Sequence, residues 1–89
     1  MSHTPPVVSR ALTESATDRI ASNIRAGLAR RKISGRQLAG LVGWTAATTN
    51  RRLAGDAELT IGHLELISAA TGIPMSVLLD GVDSTEVAR

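Results

Sequence analysis

The residue types of this 89-residue chain that can do chemistry are arginines rather than catalytic or metal-binding groups. Cysteine is absent, and the two histidines, His3 and His63, are too few and too far apart for a metal site. We interpret His63, which follows Gly62 at the start of a predicted helix, as a surface residue. There is no Ser–His–acid set and no glycine-rich phosphate loop in a βαβ context. We therefore predict that the chain is not an enzyme and takes no metal, no cofactor and no small-molecule substrate.

The basic residues are concentrated in one part of the chain. Eight basic residues and no acidic one lie between positions 19 and 52, whereas six acidic residues and no basic one lie between 53 and 88. Such a separation is typical of a protein whose first half faces a polyanion. Charge alone is equally compatible with a solvated basic surface that has no partner. The eight are Arg19, Arg25, Arg30, Arg31, Lys32, Arg36, Arg51 and Arg52.

The composition predicts a single all-α domain. With one Trp and no Phe or Tyr, the core must consist of Leu, Ile, Val and Ala. Leu and Ala favour helices, and no stretch alternates with period two as a strand would. We find neither a run of apolar residues long enough to cross a membrane nor a signal peptide. The absence of Cys suits a reducing compartment, and we expect a cytoplasmic protein that does not bind membranes.

The first helix is predicted to run from Thr17, a favourable N-cap, to Lys32, and an earlier start near Thr13 is also open. Apolar residues recur along it at i, i+4 and i+8, which gives one apolar stripe. Basic residues crowd its last turn, where they suit the helix dipole. The stripe is Ile20, Ile24 and Leu28, and the basic residues are Arg30, Arg31 and Lys32.

The second helix is predicted to begin at Ser34. The sequence Ser34-Gly-Arg-Gln37 fits a capping box, in which each of the two side chains bonds the backbone N–H of the other residue. Gly43 is expected to end the helix in the left-handed conformation. The residues expected on its buried face are Leu38, Ala39 and Val42, with Leu41 as a further candidate.

A tight turn leads into the third helix. Gly43 allows the chain to reverse, and Trp44 is expected to fill the space beneath the turn rather than to stack on a ligand. Thr45 is the predicted N-cap of a helix from about Ala46 to Ala54, which Gly55 ends. Two short helices joined in this way constitute a helix-turn-helix.

Two further helices complete the predicted domain. Thr60 is expected to cap a helix over 61–71, and the Gly-Ile-Pro sequence at 72–74 stops it. A short last helix is predicted over 75–79, with Gly81 as its cap. The residues of the fourth helix predicted to point inward are Leu64 and Ile67.

The chain is predicted to have three parts. Residues 1–12 form a flexible N-terminal arm, because Pro5 and Pro6 prevent a helix there. Residues 13–81 form the domain, and residues 82–89 form a frayed tail. Val7, Val8 and Leu12 either extend the first helix backwards or pack on a partner, and the sequence does not decide between the two.

The stretch from Ile33 to Leu79 resembles the lambda-repressor/Cro-like (XRE) helix-turn-helix family. With the first helix included, the likeness covers about 17 to 80, and it implies a compact five-helix DNA-binding domain. Thr49 and Thr71 stand where the family usually has larger aliphatic residues, and Gly40 lies within a helix, so a looser core is expected. The matching residues are Ser34, Gln37-Leu38-Ala39, Val42-Gly43-Trp44-Thr45, Arg51-Arg52-Leu53-Ala54-Gly55, Leu59-Thr60-Ile61, Leu64, Ile67, Gly72-Ile73-Pro74 and Leu78-Leu79.

The resemblance implies which residues meet DNA. The third helix would lie in the major groove and the second would cross the backbone. Arg51 is expected to bond guanine and Asn50 adenine, while Ala47 and the Thr48 methyl contact thymine methyls. The base-reading set is Ala46, Ala47, Thr48, Asn50 and Arg51; the phosphate-binding set is Gly35, Arg36, Thr45, Arg52, Arg30, Arg31 and Lys32.

The function implied by this likeness is sequence-specific binding of double-stranded DNA, with transcriptional repression by operator occupancy at the nucleoid. Family members of this length are often phage or plasmid repressors, Cro-like proteins or antitoxins. The competing hypothesis is a protein-interaction module that keeps the fold without specific DNA binding. Repressors of this family usually pair on two half-sites, and the apolar residues of the last helix that are expected to be exposed, Met75, Val77 and Val82 among them, are candidates for the two-fold contact of such a homodimer. The sequence is also compatible with a monomer that uses its N-terminal arm and with a piece of a longer repressor.

Overall fold

The structure, a computed structural model, describes residues 14–82 and contains five α-helices within them. The predicted all-α, five-helix fold is confirmed. The predicted arm lies outside the described residues, as does the predicted tail apart from Val82. The helices are α1 (Glu14–Arg30), α2 (Gly35–Val42), α3 (Ala46–Ala54), α4 (Ile61–Thr71) and α5 (Met75–Leu78).

The start of α1 differs from the first of the two predicted positions. The described part of the helix already includes Glu14, which is compatible with the earlier predicted start near Thr13. Thr17, the predicted cap, lies inside the helix and is only 8% exposed. Its place on the packed side of α1 explains the error, because a residue type that suits a helix start is here used as a core residue.

The end of α1 also comes earlier than predicted, at Arg30. Lys32 is not helical but has a φ of 56°. The N–H of Ile33 donates to the Leu28 carbonyl at 2.9 Å, and the N–H of Lys32 donates to the Ala29 carbonyl at 3.1 Å. These two bonds form a Schellman motif in which Lys32 takes the left-handed position that glycine usually occupies.

Helices α2, α3 and α4 begin at the predicted caps and end at the predicted glycines. At each of the three helix starts, the side-chain oxygen of the cap accepts from the third N–H of the helix. The caps are Ser34, Thr45 and Thr60, and the glycines are Gly43, Gly55 and Gly72, with φ of 79°, 84° and 80°.

One apolar core joins α1, α2, α4 and α5. Leu41 is 56% exposed, so the suggestion that it shares the buried face of α2 is wrong. Leu66 on α4 is the other large apolar residue exposed among the described residues, at 42%. The core consists of Ile20, Ile24, Leu28, Leu38, Leu59, Leu64, Ile67, Ile73 and Leu78.

The last helix is packed more closely than the sequence suggested. Its C-cap is Leu79 rather than the predicted Gly81, which has a left-handed φ of 82° further along the chain. Met75, Val77 and Val82, predicted to be exposed, are half-buried against the core. Their apolar surface is therefore already used in part within the domain.

The first helix holds the ends of two others. The Asn23 side-chain amide donates to the carbonyl of Leu78, the last residue of α5, and to that of Asp80 just beyond it, each at 2.9 Å. The guanidinium of Arg25 donates to the Leu53 carbonyl near the end of α3. These polar contacts position α3 and α5 relative to α1. None of the helices described is long and apolar enough to cross a membrane.

Candidate nucleic-acid interface

The two faces of α3 differ sharply in exposure. Thr49 is completely buried, and its hydroxyl donates to the Thr45 carbonyl at 2.9 Å. Of the five residues predicted to read bases, by contrast, four are exposed, while Thr48 is half-buried. The exposed four are Ala46, Ala47, Asn50 and Arg51. The fold therefore leaves the predicted reading face of α3 open to a ligand.

The N-terminal end of α3 is held by its cap. The Thr45 side-chain oxygen accepts from the Thr48 N–H at 3.1 Å, while Thr45 itself is exposed. One of the free N–H groups at the helix start is therefore satisfied within the chain. The cap fixes the direction of the first turn, which carries Ala46 and Ala47.

The start of α2 lies beside α3. The Ser34 hydroxyl accepts from the Gln37 N–H at 3.0 Å, and the Gln37 side chain accepts from the Ser34 N–H at 2.8 Å, so the predicted capping box is confirmed. A Cβ on Gly35 would lie 3.3 Å from Leu53 Cδ1 and 3.4 Å from Asn50 Oδ1. Glycine at this position therefore lets the first turn of α2 approach α3 closely, and it places Asn50 next to that turn.

Four of the five predicted phosphate-binding cations fall into two groups. Arg31, Lys32 and Arg36 are exposed around the α1–α2 turn and the start of α2. Arg30 is also exposed, but it lines a groove between α1 and α5 together with Ser76 and Asp80. Arg36 therefore lies in the first turn of α2, whereas Arg30 lies on the side of α1 that faces α5.

Arg52 belongs to a cluster that joins α3 to α4. Its guanidinium carbon lies 4.4 Å from the centre of the Trp44 ring, a cation–π distance. The His63 ring meets Trp44 edge-on, with 5.5 Å between centroids and an interplanar angle of 80°. Arg52 Nε is buried and has no hydrogen-bond partner among the described residues. We call these three residues the Trp44 cluster.

His63 differs from its prediction as a surface residue. It is half-buried, and its Nδ1 accepts from the Thr60 N–H at 3.1 Å, which completes a second capping box at the start of α4. Burial lowers the pKa of His63, and the nearby Arg52 charge lowers it further, while Glu58 acts in the opposite direction. The neutral ring is thus the form that fits this site.

Sequence reasoning missed three residues of this region. Ala54 is exposed and lies seven positions after Ala47, so helical periodicity would have placed it on the same face. Arg25 and His63 gave no comparable signal, since their partners Leu53, Trp44 and Arg52 lie on other elements. No cluster of three metal-binding side chains occurs within residues 14–82.

The arrangement of α2, a glycine turn and α3 on a five-helix frame is a helix-turn-helix fold. An HTH_3 family transcriptional regulator from Vibrio cholerae has the same fold, with a TM-score of 0.67 and 22% identity over 73% of this chain. The present chain spans only 36% of that protein. The hypothetical transcription factor NHTF from Neisseria also has a TM-score of 0.67, with 18% identity over 85% of this chain and 88% of its own. The sequence matches no family model and no curated protein.

Proposed function

We propose that this chain is an XRE-type transcription regulator that binds double-stranded DNA sequence-specifically, with α3 in the major groove. The observation that carries the proposal is the exposed face of α3, which lies beside the capped start of α2. A helix-turn-helix places its second helix in the groove and its first across the backbone. The regulators that share this fold support the same function. Such a protein works where the genome is, in the cytoplasm at the nucleoid, and represses by occupying its operator.

Base recognition is assigned to the exposed face of α3. Arg51 carries a guanidinium that can bond both acceptors of guanine, and Asn50 can bond adenine at two points. Ala46, Ala47 and Thr48 present short side chains that let the helix backbone come close to the bases. Each good bidentate contact contributes roughly 1–3 kcal/mol of discrimination against the wrong base.

Phosphate binding is assigned to the start of α2 and to the cations near it. The first N–H groups of a helix attract a phosphate, and Gly35 is the first residue of α2. Arg36 adds a positive charge at the same end, and Thr45 offers a hydroxyl at the start of α3. Arg31 and Lys32 extend this set along the DNA backbone. We leave out Arg30, which faces the α5 groove, and Arg52, whose guanidinium stacks on Trp44.

A salt titration tests DNA binding. For a duplex selected from a random pool, the logarithm of the binding constant should fall linearly with the logarithm of the salt concentration. Each phosphate contact contributes about −0.9 to the slope, so the slope should be several units negative. The same selection reveals oligomeric state, because an inverted repeat indicates a pair of chains and a lone motif a monomer. Affinity that does not change with salt would exclude binding in the groove and favour a protein-interaction module instead.

Two substitutions separate the assigned roles. Arg51→Ala should relax preference at one base pair, while Arg36→Ala should weaken all duplexes equally and reduce the salt slope by about one. Arg19→Ala removes the same charge from α1, where the side chain packs over Gly81, and serves as the control. If both test variants lost affinity with unchanged base preference, the division between base and phosphate contacts would be wrong.

A further inference from the structure

Trp44 and Arg52 connect the two ends of α3. Trp44 lies in the turn just before the helix cap, and Arg52 lies in the last turn of the helix. The guanidinium carbon of Arg52 is 4.4 Å from the centre of the indole, whereas its buried Nε has no hydrogen-bond partner among the described residues. Because Arg52 follows the buried Thr49 by three positions, the pair holds α3 along the packed side of the helix.

His63 contacts the same indole from α4. Its ring meets the Trp44 ring edge-on, with 5.5 Å between the centroids. Its Nδ1 accepts from the Thr60 N–H at 3.1 Å, and the Thr60 hydroxyl accepts from the His63 N–H at 3.2 Å. This reciprocal pair fixes the direction of the imidazole at the first turn of α4. A histidine outside the helix-turn-helix therefore buttresses the contact that holds α3.

The arrangement requires a neutral imidazole. A protonated ring carries hydrogen on both nitrogens, so Nδ1 could no longer accept from the Thr60 N–H. The added charge would also face Arg52 across the same indole, where two cations repel each other. Burial and then Arg52 lower the pKa of His63, while Glu58 in the loop before α4 acts to raise it. Helices α2 and α5 also pack against α4, and they carry one charged residue between them, Arg36.

We propose that His63 is a positioning residue for DNA recognition, whose neutral ring keeps Trp44 and Arg52 in place and thereby sets the orientation of α3. The inference rests on the proposed DNA binding through α3. Protonation of His63 removes the bond from the Thr60 N–H and repels Arg52, so α3 loses the fixed position on which discrimination between base sequences depends. Discrimination should therefore be highest at neutral pH and decline as His63 becomes protonated.

The test compares the binding constants of the full chain for the duplex selected from the random pool and for a scrambled duplex of equal length. The charge that a histidine gains strengthens both complexes alike, so the ratio of the two constants isolates recognition. Between about pH 7.5 and 5.5 the ratio should fall at least about threefold, as it does when about one third of the molecules remain competent. His63→Gln keeps an acceptor for the Thr60 N–H without titrating, and its ratio should stay constant. His3→Gln removes the other histidine and should leave the decline unchanged.

Trp44 is the only tryptophan of the chain, so its fluorescence reports on the Trp44 cluster in the absence of DNA. The emission of the wild-type protein should change with pH at the same midpoint as the binding ratio, and His63→Gln should remove that change. Arg52→Lys keeps the charge but stacks less well on a ring, so it should lower the ratio at neutral pH without weakening the scrambled duplex. Circular dichroism establishes that each protein stays folded over the pH range.

Two results would overturn the positioning role and leave the proposed function intact. One is steep salt dependence with a ratio that does not respond to pH, and the other is a ratio that declines equally in His63→Gln. Absence of salt-dependent binding would instead overturn the proposed function and the positioning role with it.

Discussion

The two faces of α3 use the same residue types for different purposes. Arg51 and Arg52 are adjacent in the chain, yet Arg51 is exposed on the outer face while Arg52 stacks on Trp44. Thr48 and Thr49 are adjacent as well, and only Thr49 is buried, with its hydroxyl bonded inside the helix. One face thus stabilises the fold and the other is left for a ligand. Residue type alone therefore does not tell which polar side chains of α3 are available.

A charge placed on each face should give the largest contrast. Thr49→Glu puts an uncompensated carboxylate at a site with no exposure, so the free energy of unfolding should fall by about 4 kcal/mol or more. Ala47→Glu lies in the exposed first turn, where an acid suits the helix dipole, and should leave stability nearly unchanged. Thermal unfolding followed by circular dichroism compares the two. Equal losses would contradict the assignment of inner and outer faces.

The two arginines give the next largest contrast. Arg52→Ala removes the cation–π contact and the packing of the side-chain stem on Trp44, and should lower the free energy of unfolding by about 1–2 kcal/mol. Arg51→Ala should change it by less than about 0.5 kcal/mol, as surface substitutions do. Urea titration measures both values. If Arg52→Ala lowered the free energy of unfolding no more than Arg51→Ala, the Trp44 cluster would not stabilise the domain.

The glycines of the first half of the helix-turn-helix extend the comparison to α2. A Cβ on Gly40 would meet nothing within 4 Å, so Gly40→Ala should stabilise the protein by about 1 kcal/mol. Gly43 has a φ of 79°, and Gly43→Ala should destabilise it by about 1 kcal/mol although space is open there too. Opposite shifts in melting temperature are expected. A stabilising Gly43→Ala would mean that the turn does not need the left-handed conformation.

The smallest effect is expected from pH. The ordinary pKa of a histidine is 6.5, and the pKa of His63 in the folded protein is lower. Just below pH 6.5 the unfolded chain therefore binds a proton at His63, while the folded chain does not. Stability should therefore decline as pH falls from 6.5 towards the folded-state pKa, and His63 should contribute no pH dependence above or below that window.

His63→Gln is the matched variant for this measurement. Glutamine can accept from the Thr60 N–H, as Gln37 does from Ser34, and it does not titrate in this range. The difference in unfolding free energy between the two proteins should change with pH only within the window. A difference that stays constant from pH 7.5 to about 5 would show that burial and Arg52 do not act on this ring as inferred.

The local features of the fold could be predicted from the sequence because they depend on residues a few positions apart. Ser34 with Gln37, Thr45 and the glycines at 43, 55 and 72 define helix boundaries that the structure reproduces. Thr17 was misassigned because a good cap residue can also be packed inside a helix. The left-handed Lys32 was missed because lysine seldom takes that conformation.

The contacts between elements could not be predicted in the same way. The Trp44 cluster brings together a turn, α3 and α4, and no periodicity relates its three members. The exposure of Ala46, Ala47, Asn50 and Arg51 on α3 was expected because the resemblance to the XRE family implies it position by position, with Thr49 pointing into the core. The half-buried state of Met75, Val77 and Val82 depends on how α5 packs on α1, which spacing along the chain does not specify.

The polar contacts of α1 have a consequence for the segment that follows α5. Asn23 donates to carbonyls at and just after the end of α5, and the Arg19 guanidinium lies 3.0 Å from where a Gly81 side chain would begin. The first and last described helices therefore meet at one corner of the molecule. That corner is separate from the side of α1 on which Arg25 supports α3. The last described residues are thus held in place by the first described helix, so that loosening α1 would also release the segment that follows α5.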